Sequence, residues 1–431
     1  MTQTFFVVGL EPFNEALLNT IAPGTFHFRE LLSYREAVRP PSTKINFREL
    51  LDTASARLKA ASEEVSGIIG YFDFPTSSLV PTLAHRHGLP GPTLEAVARC
   101  EHKYWARNLQ REVIPDLLPR YCSVNPFADH PGAQIDLAFP YWIKPVKAHS
   151  SYLGFRIDRP GDLDETIPAI RAGIHTLGSA FNEFLKLVDP PPDIKAVDGL
   201  HCIAEEIISD GHQCTLEGYV WNGEVVVYGV VDSIRTGQHR SSFSRYQYPT
   251  RLPRRVCDRM ADAAKAVVKR MDYDGGGFNA EFYWNAKTDK IWLLEINARI
   301  SKSHSPIFRL VDGVTNQKVL IDLALGRKPD MPRRQGLYRT AAKFMIRRSG
   351  NGVVRRIPGA AELARLHEAY PDAMVRILVQ EGQHLSQLPF QDSYTYELAE
   401  LFLGADSHRE LLHRYCHCLS LLPFEIEPQA E

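Results

Sequence analysis

The sequence predicts an α/β fold of more than one domain that opens on a parallel sheet, and three observations predict it. Strand and helix patterns alternate through the first hundred residues, the order of an open parallel sheet with crossover helices. The chain has 431 residues, too many for one core and enough for two or three domains. Beyond Pro190-Pro191-Pro192 the pattern turns to hairpins with helices between them, so α+β structure follows the α/β opening.

The elements follow in order. Residues 5–9 are a short apolar run, read as a buried strand. Residues 48–65 carry apolar positions at helical spacing, and 67–72 form a second short strand. A helix is expected over 77–86, with Ser77 at its start and Gly88 just past its end. A turn at 89–92 leads to one long helix over 93–113. Further on come a strand at 138–146, a helical stretch at 162–187, and strands at 202–208, 213–221 and 224–231. Asn222-Gly223 joins the last two as a tight hairpin turn. Helices over 252–271 and 307–325 flank a hairpin spanning 278–296. The last segment, 338–426, holds strands at 341–346 and 373–379 with two helices.

Composition narrows the function classes. Hydrophobic residues are 44% and charged residues 23%, ordinary values for a globular protein. Net charge is −1, which gives no reason to expect nucleic acid or an acidic membrane as partner. The total hides one asymmetry: residues 327–356 contain ten Lys or Arg and a single acid, Asp330. That segment reads as a solvated or site-facing lid. No run of about 18 apolar residues suggests a membrane span. The N-terminus has no basic, signal-like start, and seven scattered cysteines read as reduced thiols, so a cytoplasmic location is expected. Cys416-His417-Cys418 lacks zinc spacing and reads as part of a packed helix.

The most informative local feature is the hairpin Phe278-Asn-Ala-Glu-Phe-Tyr-Trp284 and Ile291-Trp-Leu-Leu-Glu-Ile-Asn297. A turn centred near Thr288 sets Glu281 opposite Glu295, and Asn297 shares the Glu295 face. Two facing carboxylates repel, and burying each is costly, whereas a hard cation such as Mg²⁺ relieves both. Arg299, two residues on, suits a developing phosphoryl charge. An exposed hairpin with its charges in water has the same alternation, so pattern alone leaves both readings open.

Here the sequence resembles the ATP-grasp family. Glu281 followed by Glu295-Ile-Asn297-Ala-Arg299 is similar to the family's magnesium-binding acid and its Glu-x-Asn-x-Arg signature. Tyr141-Trp-Ile-Lys144-Pro145 resembles the strand whose lysine reaches the ATP phosphates, and Lys103 the earlier nucleotide-contacting lysine. Ser150, Ser151 and Gly154 stand where the family has its phosphate loop. Glu205, Glu206 and Ile208 stand at the adenine-holding hinge, and pattern does not choose between the two glutamates. Two departures accompany the match. The loop reads Ser-Ser-Tyr-Leu-Gly in place of a glycine run, and His212 stands where many members have a ribose-binding glutamate.

The resemblance implies an ATP-grasp fold in three parts. These are an N-terminal α/β domain over 1–100, a nucleotide-binding region over 101–330 with a lid-like part at about 138–208, and a C-terminal cover over 331–431. It implies ATP with Mg²⁺ (or Mn²⁺) held by Glu281, Glu295 and Asn297, with Arg299 and Lys144 as catalytic groups. The activity implied joins a carboxylate to an amine through an acyl phosphate, as in ligases of amino acids. Ser303, His304 and Arg309 are the candidate substrate contacts. Small-molecule acids and amines are the expected partners, with neither nucleic acid nor membrane, and a homodimer is compatible with the reading. The competing readings are a biotin-carboxylase-like or purine-pathway carboxylating enzyme and a non-catalytic nucleotide-binding regulator. The loop composition speaks against the first, and the retained lysines and acids against the second.

Overall fold

Strand β1 (Gln3–Leu10) is buried from Thr4 to Leu10 without alternation, as expected of a parallel strand covered on both faces. In the computed structural model it lies between β2 (Phe26–Ser33) and β3 (Val65–Ile69) and runs parallel to both. Residues 2–39, 45–149, 152–236, 242–388 and 395–429 are described. Sequence pattern gives no strand at β2, because its His27, Arg29 and Glu30 face solvent. Those charges suit an edge strand.

The chain divides into two compact units. The first comprises Met1–Tyr228, Leu252–Lys302 and Gln317–Asp330; the second comprises Gly229–Arg251, Ser303–Asn316 and Met331–Glu431. The strand Glu224–Thr236 carries the chain from one into the other.

In the first unit, α1 (Phe47–Ala60) is capped by the Asn46 side chain, and α2 (Thr76–Arg86) follows β3. The long helix expected over 93–113 is two helices, α3 (Leu94–Glu101) and α4 (Lys103–Val113). His102 breaks it by taking an extended backbone, so that its Nδ1 accepts from Trp105 N while Nε2 lies 2.6 Å from Val197 O. The break puts Lys103 at the first helical position, with its backbone N–H donating to Val146 O.

An antiparallel sheet with the order β4-β7-β5-β6 comes next. Its strands are β4 (Tyr121–Val124), β5 (Tyr141–Pro145), β6 (Phe155–Ile157) and β7 (Cys202–Glu206). Ile143, Cys202 and Ala204 pack there on Leu163, Ile167 and Ile170 of the helix Pro160–Gly173. The helix His175–Leu185 meets the chain ahead of β7 where two glycines touch. A Cβ on Gly178 would stand 2.2 Å from Gly199 O, and one on Gly199 2.5 Å from Gly178 O. The third sheet region sets β9 (Gly277–Asn285) between β8 (His212–Trp221) and β10 (Lys290–Asn297), antiparallel to each.

In the second unit the strands Ser242–Tyr248, Thr340–Ser349, Thr395–Ala405 and Met374–Ile377 form an antiparallel sheet in that order. Phe344, Ile346, Leu401 and Leu403 pack on Leu366, Leu411 and Cys418 of the helices Ala360–Ala369 and His408–Leu421. The expected helix over 307–325 is divided into Ser305–Asp312 and Gln317–Ala324, and Gly313 ends the first at φ +91°. Much of the basic segment is strand, with acids supplied by its neighbours: Lys343 pairs with Glu400 at 2.5 Å and Arg347 with Glu397 at 3.3 Å. Arg356 meets Glu362 at 2.7 Å, and Arg355 pairs with Glu427. Among the described residues no helix is long and apolar enough to cross a membrane.

The glycine contact gives a direct test. Gly178→Ala should lower stability by about 1–3 kcal/mol, because backbone faces backbone and neither can yield cheaply. Urea unfolding should show an earlier midpoint at an unchanged slope.

Candidate active site

The site is built on the β9–β10 hairpin of the first unit. Glu281 stands opposite Glu295 and Asn279 opposite Asn297, so their side chains share one face. Toward the turn the register differs by one residue: Phe282 faces Leu293, and the shift falls between Glu281 and Phe282. Simple alternation from Thr288 gives the Glu281–Glu295 pair, but a one-residue bulge produces it.

Polar neighbours hold these groups. Gln213 Nε2 donates to Glu281 Oε2 at 3.1 Å, and Tyr283 OH donates to Gln213 Oε1 at 3.0 Å. Buried Asn279 donates through Nδ2 to the Arg299 carbonyl at 3.0 Å, so its Oδ1 must accept from Asn297 Nδ2, also at 3.0 Å. That chain leaves Asn297 Oδ1 as the atom turned to the site. Among the described residues no group of three His, Cys, Asp or Glu stands ready as a metal cage. Two carboxylates and one amide oxygen instead fit a hard cation that takes its other oxygens from phosphates and water.

Cations surround the hairpin. Lys103 Nζ lies 3.8 Å from Glu295 Oε2 and donates to Ala148 O at 2.7 Å. Lys144 on β5 lies 2.6 Å from Glu205 Oε2 on β7, and Arg107 Nε donates to Glu205 Oε1 at 2.6 Å. Arg299 donates from Nε and Nη2 to Asp73 Oδ1 at 2.9 and 2.5 Å. Lys147 forms a buried ion pair with Glu101, with the rings of Phe74 and Phe181 5.2 and 5.4 Å from its ammonium.

The structure thus gathers Lys103, Lys144, Glu205, Glu281, Glu295, Asn297 and Arg299 in the first unit. It distinguishes the two hinge glutamates: Glu205 is buried between Lys144 and Arg107, whereas Glu206 accepts from the Arg120 N–H toward solvent. Ile208 lies buried just past β7, Gly154 precedes β6, and His212 opens β8 opposite Trp284. Ser150 and Ser151 lie outside the described residues. Ser303, His304 and Arg309 belong to the second unit. Ser303 Oγ accepts from Lys343 at 3.4 Å, buried His304 meets Tyr246 edge to face, and Arg309 is exposed.

Asp73, Arg107 and Asn279 are absent from the sequence reading, although each left a signal. Arg107 is four residues after Lys103 on one helix face, and Asn279 is two before Glu281 on one strand face. Asp73 lies just past the carboxyl end of a parallel strand, where open α/β sheets place functional groups.

Electrostatics follow from the pairing. Burial alone would raise Glu205, but Arg107 and Lys144 outweigh it and hold the carboxyl at about 2. Burial likewise opposes ionisation of Glu295, and Lys103 and Lys144 keep it below the ordinary range. Burial pushes the Lys103 ammonium down while Glu295 supports it. Because the folded value of Glu205 lies below its ordinary 4.5, its contribution is complete above about pH 4.5 and is lost as pH falls toward 2. Urea midpoints measured from pH 6 to pH 2.5 should therefore fall less steeply for Glu205→Gln than for the wild type.

Residues 222–331 match the family model described as carbamoyl-phosphate synthase L chain, ATP binding domain. No curated protein matches the chain in sequence. The solved L-amino acid ligase from Bacillus licheniformis is similar at a TM-score of 0.71 and 16% identity, over 100% of this chain and 99% of its own. Phosphoribosylglycinamide synthetase from Anaerococcus prevotii gives 0.63 and 12%, covering 99% of this chain and 100% of its own. Biotin carboxylase from Campylobacter jejuni gives 0.62 and 12%, covering 99% and 93%. At such identities the likeness is one of fold. The matched ATP-binding segment contains the β9–β10 hairpin and Arg299, and over the whole chain the likeness is to the ATP-grasp fold.

Proposed function

We propose that the protein is an ATP- and divalent-cation-dependent ligase that joins a carboxylate to an amine through an acyl phosphate, with amino acids or similar molecules as substrates. One observation carries the reading: Glu281, Glu295 and Asn297 share a hairpin face, Lys103 stands 3.8 Å from Glu295, and Arg299 follows two residues on. Such a site has the parts that phosphoryl transfer requires, namely positioned cations and an oxygen donor set for a metal ion.

The chemistry proceeds in two steps. A substrate carboxylate oxygen attacks the γ-phosphorus of ATP, and the bond to ADP breaks. The amine nitrogen then attacks the acyl carbon, phosphate leaves, and the nitrogen gives up its proton. Bound Mg²⁺ supplies charge neutralisation on the phosphates. Lys103 and Lys144 bring ammonium groups to the phosphate side, and Glu205 orients Lys144 by its 2.6 Å contact. Arg299, held by Asp73 at Nε and Nη2, stabilises the anionic acyl phosphate and the adduct that follows.

The Ser-Ser-Tyr-Leu-Gly loop supports amide formation over carboxylation, since the carboxylating members use a glycine run there. Retention of both lysines with the acids and Asn297 supports catalysis over a regulatory role.

Glu295→Gln should cut phosphate release by about a hundredfold or more while the far-ultraviolet circular dichroism stays unchanged; full turnover would remove the cation role. Lys144→Ala should raise the KM for ATP by about tenfold or more, because a charge-assisted phosphate contact is lost. Phosphate release across a matrix of amino acids, other acids and amines, with bicarbonate as one arm, separates ligation from carboxylation.

A further inference from the structure

Arg107 is 3% exposed and touches none of the groups assigned above to the cation. What it does touch is the bulge. Nη1 donates to Leu293 O at 3.2 Å and Nη2 to Leu294 O at 2.7 Å. Consecutive carbonyls of a regular strand point to opposite sides, so a single planar fork reaches both only where the strand is distorted. The site of distortion is the register shift between the Glu281–Glu295 and Phe282–Leu293 pairs.

The shift decides which way Glu295 faces. Before it, the buried positions of β10 are Ile291 and Leu293, at 1% and 0% exposure. After it the buried positions are Ile296 and, just past the strand end, Ala298 and Ile300, at 3%, 9% and 0%. The step from Leu293 to Ile296 is three residues where strand alternation allows two. Without the extra residue, Glu295 and Asn297 would fall on the face of Ile291 and Leu293, because a one-residue slip reverses every side chain. The rest of Arg107 is committed elsewhere: Nε goes to Glu205 Oε1 at 2.6 Å and Nη1 also to Gln110 Oε1 at 2.7 Å. Glu205 in turn holds Lys144.

We propose that Arg107 is a positioning residue that locks the β10 bulge, turning Glu295 and Asn297 out of the core toward Lys103, and that through Glu205 it sets Lys144 against the same hairpin. The inference rests on the reading that Glu281, Glu295 and Asn297 hold a divalent cation. Lysine cannot replace the fork, since an ammonium lacks the two parallel donors.

The test reads binding rather than turnover. ADP affinity is measured by calorimetry with and without Mg²⁺ in the wild type and in Arg107→Lys, which keeps a cation beside Glu205. The gain in affinity that Mg²⁺ confers should fall by about tenfold or more in the variant, the range seen when a supporting contact behind a metal ligand is lost. Metal-free ADP binding should change by less than about threefold. A folded variant that keeps the full Mg²⁺ gain overturns the proposal, as does an equal loss with and without the ion. If Arg107→Lys does not fold, Arg107→Gln, which keeps amide donors in place of the fork and leaves Glu205 with Lys144, is read for the same Mg²⁺ gain. A wild type that shows no Mg²⁺ gain removes the cation reading itself, an outcome distinct from failure of Arg107 alone.

Discussion

Two carboxylates facing each other across an apolar hairpin set the terms for the whole site. Glu281 and Glu295 are a directly opposed pair, and such a pair persists in a half-buried setting only when countercharge stands close by. The surrounding groups meet that condition. Lys103 meets Glu295, Arg299 meets Asp73, Lys147 meets Glu101, and Arg107 and Lys144 share Glu205, so five cations meet four carboxylates within one unit, while Glu281 accepts from Gln213. None of these charges stands apart from an opposite charge or a hydrogen-bond donor, and each pair ties two distant parts of the chain. Asp73 joins the N-terminal sheet to the segment after β10, and Glu205 joins β7 to both α4 and β5. The charges that would equip the site for phosphates therefore also hold its elements together.

Much of this was legible in the sequence, for a definite reason. On the far side of the bulge the period-two pattern holds, so the shared face of Glu295 and Asn297 could be read directly, and a register centred on the turn gave the facing of Glu281 and Glu295. The bulge could not, because an extra residue leaves no compositional mark; the turn-centred register reached the right pair despite it. The break at His102 was hidden in the same way. Residues 93–113 have helical spacing throughout, and only the backbone bond to Val146 and the ring contact with Val197 show why the helix restarts at Lys103. Edge strand β2 was missed because exposed charges mask its alternation. Asp73 depends on proximity to a residue 226 positions away, which no local pattern encodes.

The fold does not by itself choose the reaction. Structures named for an L-amino acid ligase, a phosphoribosylglycinamide synthetase and a biotin carboxylase share the architecture at 12–16% identity. Function resides in sites carried on folds. Here the charged cluster around the β9–β10 hairpin belongs to the first unit, while Ser303, His304 and Arg309 belong to the second.

The basic segment has an electrostatic meaning. Read along the chain, residues 327–356 look like a source of strong positive potential. In the fold, Lys328, Lys343, Arg347, Arg355 and Arg356 each sit against a glutamate. A charge paired within a few ångströms presents a dipole, and its influence fades well inside the screening length of about 8 Å in physiological salt. Half of the ten cations of the segment are thus neutralised where they stand, and these five add little to any field felt at a distance.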